Sequence, residues 1–416
     1  MTASTLTADN GASSGTSGIK YNGGTDGTLQ IQTTTSGGTA TTALTIDNSQ
    51  NTTLAGYLNT PNTFGFKNRI INGAMMIDQR NAGASVTTPT TSSFIYTLDR
   101  WNYYVTQGSK FTVQQNAGSV TPPVGFSNYL GVTSTSAYSV VSGDLFSLNQ
   151  PIEGFNTADL AWGTANAKTV TLSFWVYSSL TGTFGGSILN NAYNRSYPFT
   201  YTVSSANTWT QISITIAGDT TGTWVGATNG VGLRVNFSLG TGSTYSGTAG
   251  SWSGSQYWSA TGATSVVGTN GATWYVTSVQ LEKGSTATSF DYRPFGTELA
   301  LCQRYYYRIT AQVAGDYFVP NAYAIASTAA FGYVTFPVPM RTRPTALEQS
   351  GTATDYNVVR CGAGTNTNCS AVPSFGVANL TNAQTTFTVA SGLVNSGAGS
   401  VQANNTSAYL GWSAEL

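Results

Sequence analysis

Strict alternation constrains this chain more than any other feature. Val231, Leu233, Val235, Phe237 and Leu239 are separated one by one by Gly232, Arg234, Asn236 and Ser238. Successive side chains of a strand point to opposite faces, so this segment reads as a strand with one apolar face. The same period recurs at Val170, Leu172, Phe174 and Val176, and again at Ile212, Ile214 and Ile216. Turn residues stand between such runs: Ala217-Gly218-Asp219, Asn229-Gly230 and Leu239-Gly240-Thr241-Gly242. Residues 67–297 show no helical period, and a long series of antiparallel strands predicts a two-sheet sandwich or jelly roll.

Composition narrows the chemistry. The chain has 416 residues, 16 basic and 16 acidic, so its formal net charge is zero, and only 8% of residues are charged. Thr and Ser make up more than a quarter of it and keep it hydrated in place of charge. Nucleic-acid binding needs clustered Lys and Arg to neutralise phosphates, and this balance argues against it. There is no histidine, which excludes a Ser-His-Asp triad, a Cys-His pair and His-ligated zinc. Neither an EF-hand loop nor a cysteine cluster suggests a dedicated metal site, and no cofactor is expected. Cys302, Cys361 and Cys369 read as three thiols, with a Cys361–Cys369 loop disulfide as the alternative. The opening residues have no basic and apolar segments of a secretory signal, and no apolar run approaches the roughly 20 residues needed to cross a bilayer. The expectation is a protein made in a cytoplasm without membrane insertion.

Residues 1–66 differ from the rest. They hold four charges (Asp9, Lys20, Asp26, Asp47) and no Trp, among Thr, Gly and Ser tracts. Thr28–Thr33 and Ala43–Asp47 alternate like strands, and Asn48–Asn51 reads as a turn before Thr52–Gly56. Leu29, Ile31, Leu44, Ile46 and Leu54 are too few to offset the cost of ordering such a segment alone, about 1–2 kcal/mol per residue. It is either a linker or a shaft whose strands close their core between identical chains, and the alternation of β-branched residues favours the shaft. At the other end, Thr297 is expected to cap one short helix, Glu298–Tyr305, before strand patterns resume at 332–340 and 385–389. The expected organisation is all-β: a shaft or dock over 1–66, a sandwich over 67–297 and a smaller β domain over 298–416.

Several segments carry a resemblance. Asn68-Arg-Ile-Ile-Asn-Gly-Ala-Met-Met-Ile-Asp-Gln-Arg80 and Tyr96-Thr-Leu-Asp-Arg-Trp101 resemble the opening of the jelly-roll module in tailed-phage tail fibre proteins, a module itself similar to a carbohydrate-binding module. Asp159–Val176, Tyr245–Trp252 and Val279–Thr288 are similar too, and Leu299–Tyr307 with Phe336–Arg341 resembles the C-terminal domain of such fibres. The resemblance covers residues 67 to about 345 and fades beyond. It implies a homotrimeric virion fibre, assembled in the host cytoplasm, that docks on tail or capsid proteins through its N-terminal segment. It also implies attachment to a host surface glycan or receptor. It transfers no ligand residues.

Saccharides are held by flat aromatic faces together with amides and carboxylates. The segment Ser243–Gly262 offers Tyr245, Trp252, Tyr257 and Trp258 among Gly and Ser, and these four are the candidate ligand-binding residues. The alternative is that they plug one end of the sandwich. Tyr305, Tyr306 and Tyr307 cannot share one face, so at least one should meet solvent, another subunit or another domain. A depolymerase would need two carboxylates within roughly 5–10 Å. The nearest pairs in sequence are Asp78 with Asp99 and Glu153 with Asp159, and Asp99 is expected to pair with Arg100. No catalytic residue is assigned. The leading reading is an adhesive, non-enzymatic fibre. The alternatives are a non-adhesive virion component (head fibre, decoration protein or tail-tip adaptor) and a polysaccharide depolymerase.

Overall fold

A computed structural model describes residues 28–34, 40–49, 52–54, 66–88, 94–361 and 366–416. The chain divides into two compact units, residues 1–65 and 66–416. In the first unit Leu29–Thr34, Ala40–Ile46 and Thr52–Leu54 form an antiparallel meander. Its register sets Leu29 opposite Ile46, and Ile31 opposite Leu44, itself opposite Leu54. Leu29, Ile31, Leu44 and Ile46 therefore share one face. That face is poorly covered: Leu29, Leu44 and Ile46 are half-buried and Ile31 is 54% exposed.

The second unit begins with the expected sandwich. One six-stranded sheet runs in the order Thr210–Ile216, Val170–Ser178, Thr273–Lys283, Leu130–Ser134, Phe111–Gln115, Val86–Thr87. The facing sheet runs Ser196–Val203, Gly182–Leu189, Val231–Thr241, Leu145–Glu153, Asn102–Val105, Ile95–Tyr96. Neighbouring strands are antiparallel and the chain crosses repeatedly between the sheets, as a jelly roll requires. Val170, Leu172, Phe174 and Val176 meet Val235, Phe237 and Leu239 in one core with Trp101 and Trp274. The Asn68–Arg80 segment laces this core shut. The Asn68 side chain bridges the backbone of Ile70, Val279 and Leu281. Asn72 holds Ile77 and Asp99, and Trp101 donates to the Asn72 carbonyl.

A second core lies beyond residue 305, between a three-stranded sheet (Tyr306–Thr310, Tyr409–Ser413, Glu348–Gln349) and a seven-stranded one built around Tyr317–Ala326, Ala329–Thr335 and Ala398–Ala403. The helix that precedes it spans Phe295–Gln303 and begins at Pro294, with no side-chain cap. The expected Thr297 cap is thus corrected. Thr297 lies inside the first turn, and the extended Pro294 launches the helix three residues early. The boundary expected at 297/298 falls inside this helix. Among the described residues no helix is long and apolar enough to cross a membrane. All three cysteines are free, so the loop-disulfide alternative does not hold. Cys369 is buried in the second core, which pushes its thiol up to about 12, while Cys361 is exposed.

The three consecutive tyrosines take the inter-domain alternative and not the solvent-facing one. Tyr305 and Tyr306 are fully buried and Tyr307 is half-buried, so none is turned out to solvent. Each ring finds a separate partner. The Arg100 guanidinium lies 3.6 Å over Tyr305, and that of Arg80 lies 3.5 Å over Tyr306. Tyr307 stacks on Trp412 of the second core. The rings join the sandwich to the C-terminal sheets, which is the inter-domain contact foreseen for them.

Candidate functional site

The site is built by the strand alternation itself. Leu233, Val235 and Phe237 point into the sandwich, so Arg234, Asn236 and Ser238 point to the outer face of the same sheet. Register then aligns Asn102 with Asn149, Asn149 with Asn236, and Asn236 with Ser187. The result is a row of three amides and a hydroxyl crossing four strands on one face. All four side chains are buried.

What buries them is aromatic. Trp258, 1% exposed, lies in a cluster with Phe94, Tyr104, Tyr193 and Tyr245 over Leu145 and Leu189 of this face. Ring centroids are 6.0 Å apart for Tyr104 and Trp258, 5.5 Å for Tyr193 and Trp258, and 5.2 Å for Phe94 and Tyr104. The segment 243–262 brings Trp258 there. The Trp258 backbone N–H donates to the Tyr245 carbonyl at 2.7 Å, and the Asn236 side-chain amide donates to the Trp258 carbonyl. Gly185 lets the segment lie flat, because a Cβ there would stand 2.4 Å from Ser259 Oγ.

The cover leaves polar atoms without partners: both amide atoms of Asn149, Ser187 Oγ, Asn236 Oδ1, Trp258 Nε1, and Nε and Nη1 of Arg234. A buried polar group without a partner costs about 1–3 kcal/mol. Such groups are few in native proteins and call for a reason. Amides and hydroxyls in a row beside aromatic rings are the chemistry that holds saccharide hydroxyls and pyranose C–H faces. Next to the row opens a cleft of about 430 Å³, walled by Phe94 and Tyr96 on the sandwich side and by Arg343, Glu348, Ser413 and Glu415 on the other.

The four residues singled out in the sequence part company here. Tyr245 and Trp258 join the aromatic cover. Trp252 is half-buried at the sandwich edge, edge-on to Trp162 and Trp224, and its indole donates to the Ala217 carbonyl at 2.8 Å. Tyr257, also half-buried, lies over Gly247. Phe94, Tyr104, Tyr193, Arg234 and the amide row were not anticipated. The one available signal was polar amide and guanidinium side chains at the outward positions of a strand core.

The carboxylates paired in sequence are engaged separately. Arg304 and Tyr305 hold Glu153, and although burial works against it, they keep its carboxyl below the ordinary value. Asp159 is burdened by burial too, but Arg69 and Lys283 hold it down. Asp99 does not pair with Arg100, which corrects that expectation. Arg100 takes a left-handed backbone with φ of 70° and turns its side chain to Glu415 and the Pro151 carbonyl. Asp99 is left fully buried with the Gln79 amide at 2.7 Å, and burial pushes its carboxyl up to about 7. Among the described residues no three potential metal ligands cluster.

No protein-family model matches this chain. Nor does any curated protein. Solved structures with a similar fold include the enzymatically active domain of tailspike protein 4 of bacteriophage CBA120, at 15% identity and a TM-score of 0.29 over 55% of this chain and 24% of that one. The match thus spans about a quarter of the tailspike structure. A family 11 carbohydrate-binding module from Clostridium thermocellum, in complex with a mixed-linked tetrasaccharide, is similar at 11% identity and a TM-score of 0.25, covering 50% of this chain and all of the module. A xylan-binding domain from Paenibacillus barcinonensis is similar at 10% identity and a TM-score of 0.22, covering 50% and 99%.

Proposed function

We propose that the chain is a non-enzymatic adhesive protein of the tail-fibre type, carried on a virion, whose sandwich holds host-surface saccharides on the outer face of one sheet. The observation that carries this reading is the buried row Asn102, Asn149, Asn236 and Ser187, with partnerless polar atoms beneath an aromatic cover. Saccharide hydroxyls would complete those hydrogen bonds. The engagement of Glu153 and Asp159 by arginine, lysine and tyrosine supports a role without hydrolysis. Weak single sites suffice for adhesion, because several copies on one particle raise avidity by about 10²–10⁴.

The test is an array of bacterial surface saccharides probed with the full chain and with Ser187→Ala. The wild type should be retained by a subset of them. The variant should lose about 2- to 13-fold in affinity, the worth of one hydrogen bond of about 0.5–1.5 kcal/mol. Its melting temperature should hold or rise, since a partnerless buried hydroxyl is gone. Retention by none of the saccharides would refute the reading. The saccharides themselves should keep their length.

A purely structural virion role is favoured by a different observation. The C-terminal seven-stranded sheet presents Tyr323, Ile325 and Tyr333 at 44%, 46% and 53% exposure, with the Tyr323 and Phe331 rings 4.2 Å apart. A flat aromatic sheet face of this kind suits contact with another protein.

A further inference from the structure

Three arginines are buried among the described residues: Arg100, Arg234 and Arg293, at 1%, 4% and 8% exposure. Two have a carboxylate. Arg100 pairs with Glu415, and Arg293 with Glu298 at 3.2 Å. Arg234 has none among the described residues, and its Nε and Nη1 lack any hydrogen-bond partner. Its guanidinium lies 4.4 Å from the Phe94 ring centroid and 5.7 Å from that of Tyr193. Ring faces attract a cation but do not replace an anion. An unpaired buried charge is costly by several kcal/mol, and in this protein acids are scarce and spent elsewhere.

The ring that covers Arg234 is also a wall of the 430 Å³ cleft. The two acids lining that cleft are already neutralised. Glu348 accepts from Arg80 at 3.1 Å and from the Tyr306 hydroxyl at 2.7 Å. Glu415 is held by Arg100, and by Arg80 at 3.6 Å. Arg343 lines the same cleft as Phe94 and is exposed, with no carboxylate partner among the described residues. The cleft thus has one free guanidinium in its lining and a second behind a single aromatic side chain. Thr342, Thr345 and Ser413 add hydroxyls, and Tyr96 adds a second ring.

We propose that this cleft binds an acidic saccharide, a uronic acid or similar carboxylated sugar. Arg343 draws the carboxylate in. Phe94 turns aside, Arg234 donates its free N–H groups to the anion, and the sugar ring takes the place of the phenyl beside Tyr104. Planar guanidinium with carboxylate is the strong, charge-assisted form of hydrogen bond. This rests on the reading of the sandwich face as a saccharide surface and adds to it the charge of the ligand.

The test is calorimetric titration of the full chain with hexamers of galacturonate, glucuronate and mannuronate, each beside its carboxyl-reduced neutral counterpart. At least one acidic hexamer should bind ten times or more tightly than its neutral partner, and less tightly as salt rises. Arg343→Gln, on the surface, should cut acidic binding several-fold and leave neutral binding alone. Arg234→Met should erase the preference while melting stays level or rises, because an unpaired buried charge has been removed. Equal binding of acidic and neutral forms would overturn the proposal and leave the saccharide face standing. Binding of no acidic hexamer would overturn it too, and the Ser187→Ala array decides the face independently. A fall in melting temperature for Arg234→Met with the preference intact would make Arg234 a structural residue and sink its assigned role.

Discussion

Asp99 concentrates the residue-scale chemistry. It is fully buried, and burial pushes its carboxyl up to about 7; the Gln79 amide and Arg80 offset this only in part, while the like charges of Glu415 and Asp78 add to it. A raised carboxyl pKa means that the native state holds its proton more tightly than the unfolded chain. The stability this contributes is present at acid pH and is lost as pH rises from about 4 to about 7. Asp99→Asn keeps an acceptor for Gln79 and removes the charge. It should stabilise the protein at pH 8 by an amount on the order of 1–4 kcal/mol, with the advantage vanishing toward pH 4. Thermal melting of both proteins from pH 4 to 8 measures this, and parallel curves would refute it. Glu153 works in the opposite sense, since Arg304 and Tyr305 hold it ionised against its burial and it favours folding above the acid range.

At the scale of elements, strands were legible and their outer faces were not. The apolar sets of Val170–Ser178 and Val231–Thr241 lie in the core as the alternation required. The alternation gave these strands one apolar face and left the other unassigned, yet Arg234 and Asn236 on that other face are buried under residues from 94, 193 and 243–262. Alternation says which face a side chain takes but not what a distant segment lays upon it. For the same reason Trp252 and Trp258, six positions apart, serve different places, one at the sandwich edge and one on the sheet. Gly185 makes the cover testable. Gly185→Ala forces a Cβ against Ser259 Oγ at 2.4 Å and Ala263 Cβ at 2.9 Å. It should loosen the 243–262 segment, raise hydrogen exchange there selectively and cost about 1–3 kcal/mol. Uniform exchange across the sandwich would contradict this.

For the whole molecule, the first unit raises the question of assembly. Its meander gathers Leu29, Ile31, Leu44 and Ile46 on one face and leaves Ile31 largely exposed. A three-stranded sheet needs something against such a face to be stable. Further copies of the chain are the expected answer, and light scattering should return a mass near three chains. Deleting residues 1–65 should reduce the mass to that of fewer chains while the sandwich still melts cooperatively. A monomeric full chain would contradict the trimer. The proposed saccharide site does not depend on this, since its row and cover lie within residues 94–262 of one chain.

The most direct measurement is a crystal structure of the protein with the tightest-binding saccharide from the array. The expected density lies on the outer face of the sheet, with saccharide hydroxyls on Asn149, Asn236 or Ser187 and a pyranose against Phe94, Tyr104, Tyr193 or Trp258. Density confined to another surface, with those side chains still without partners, would contradict it.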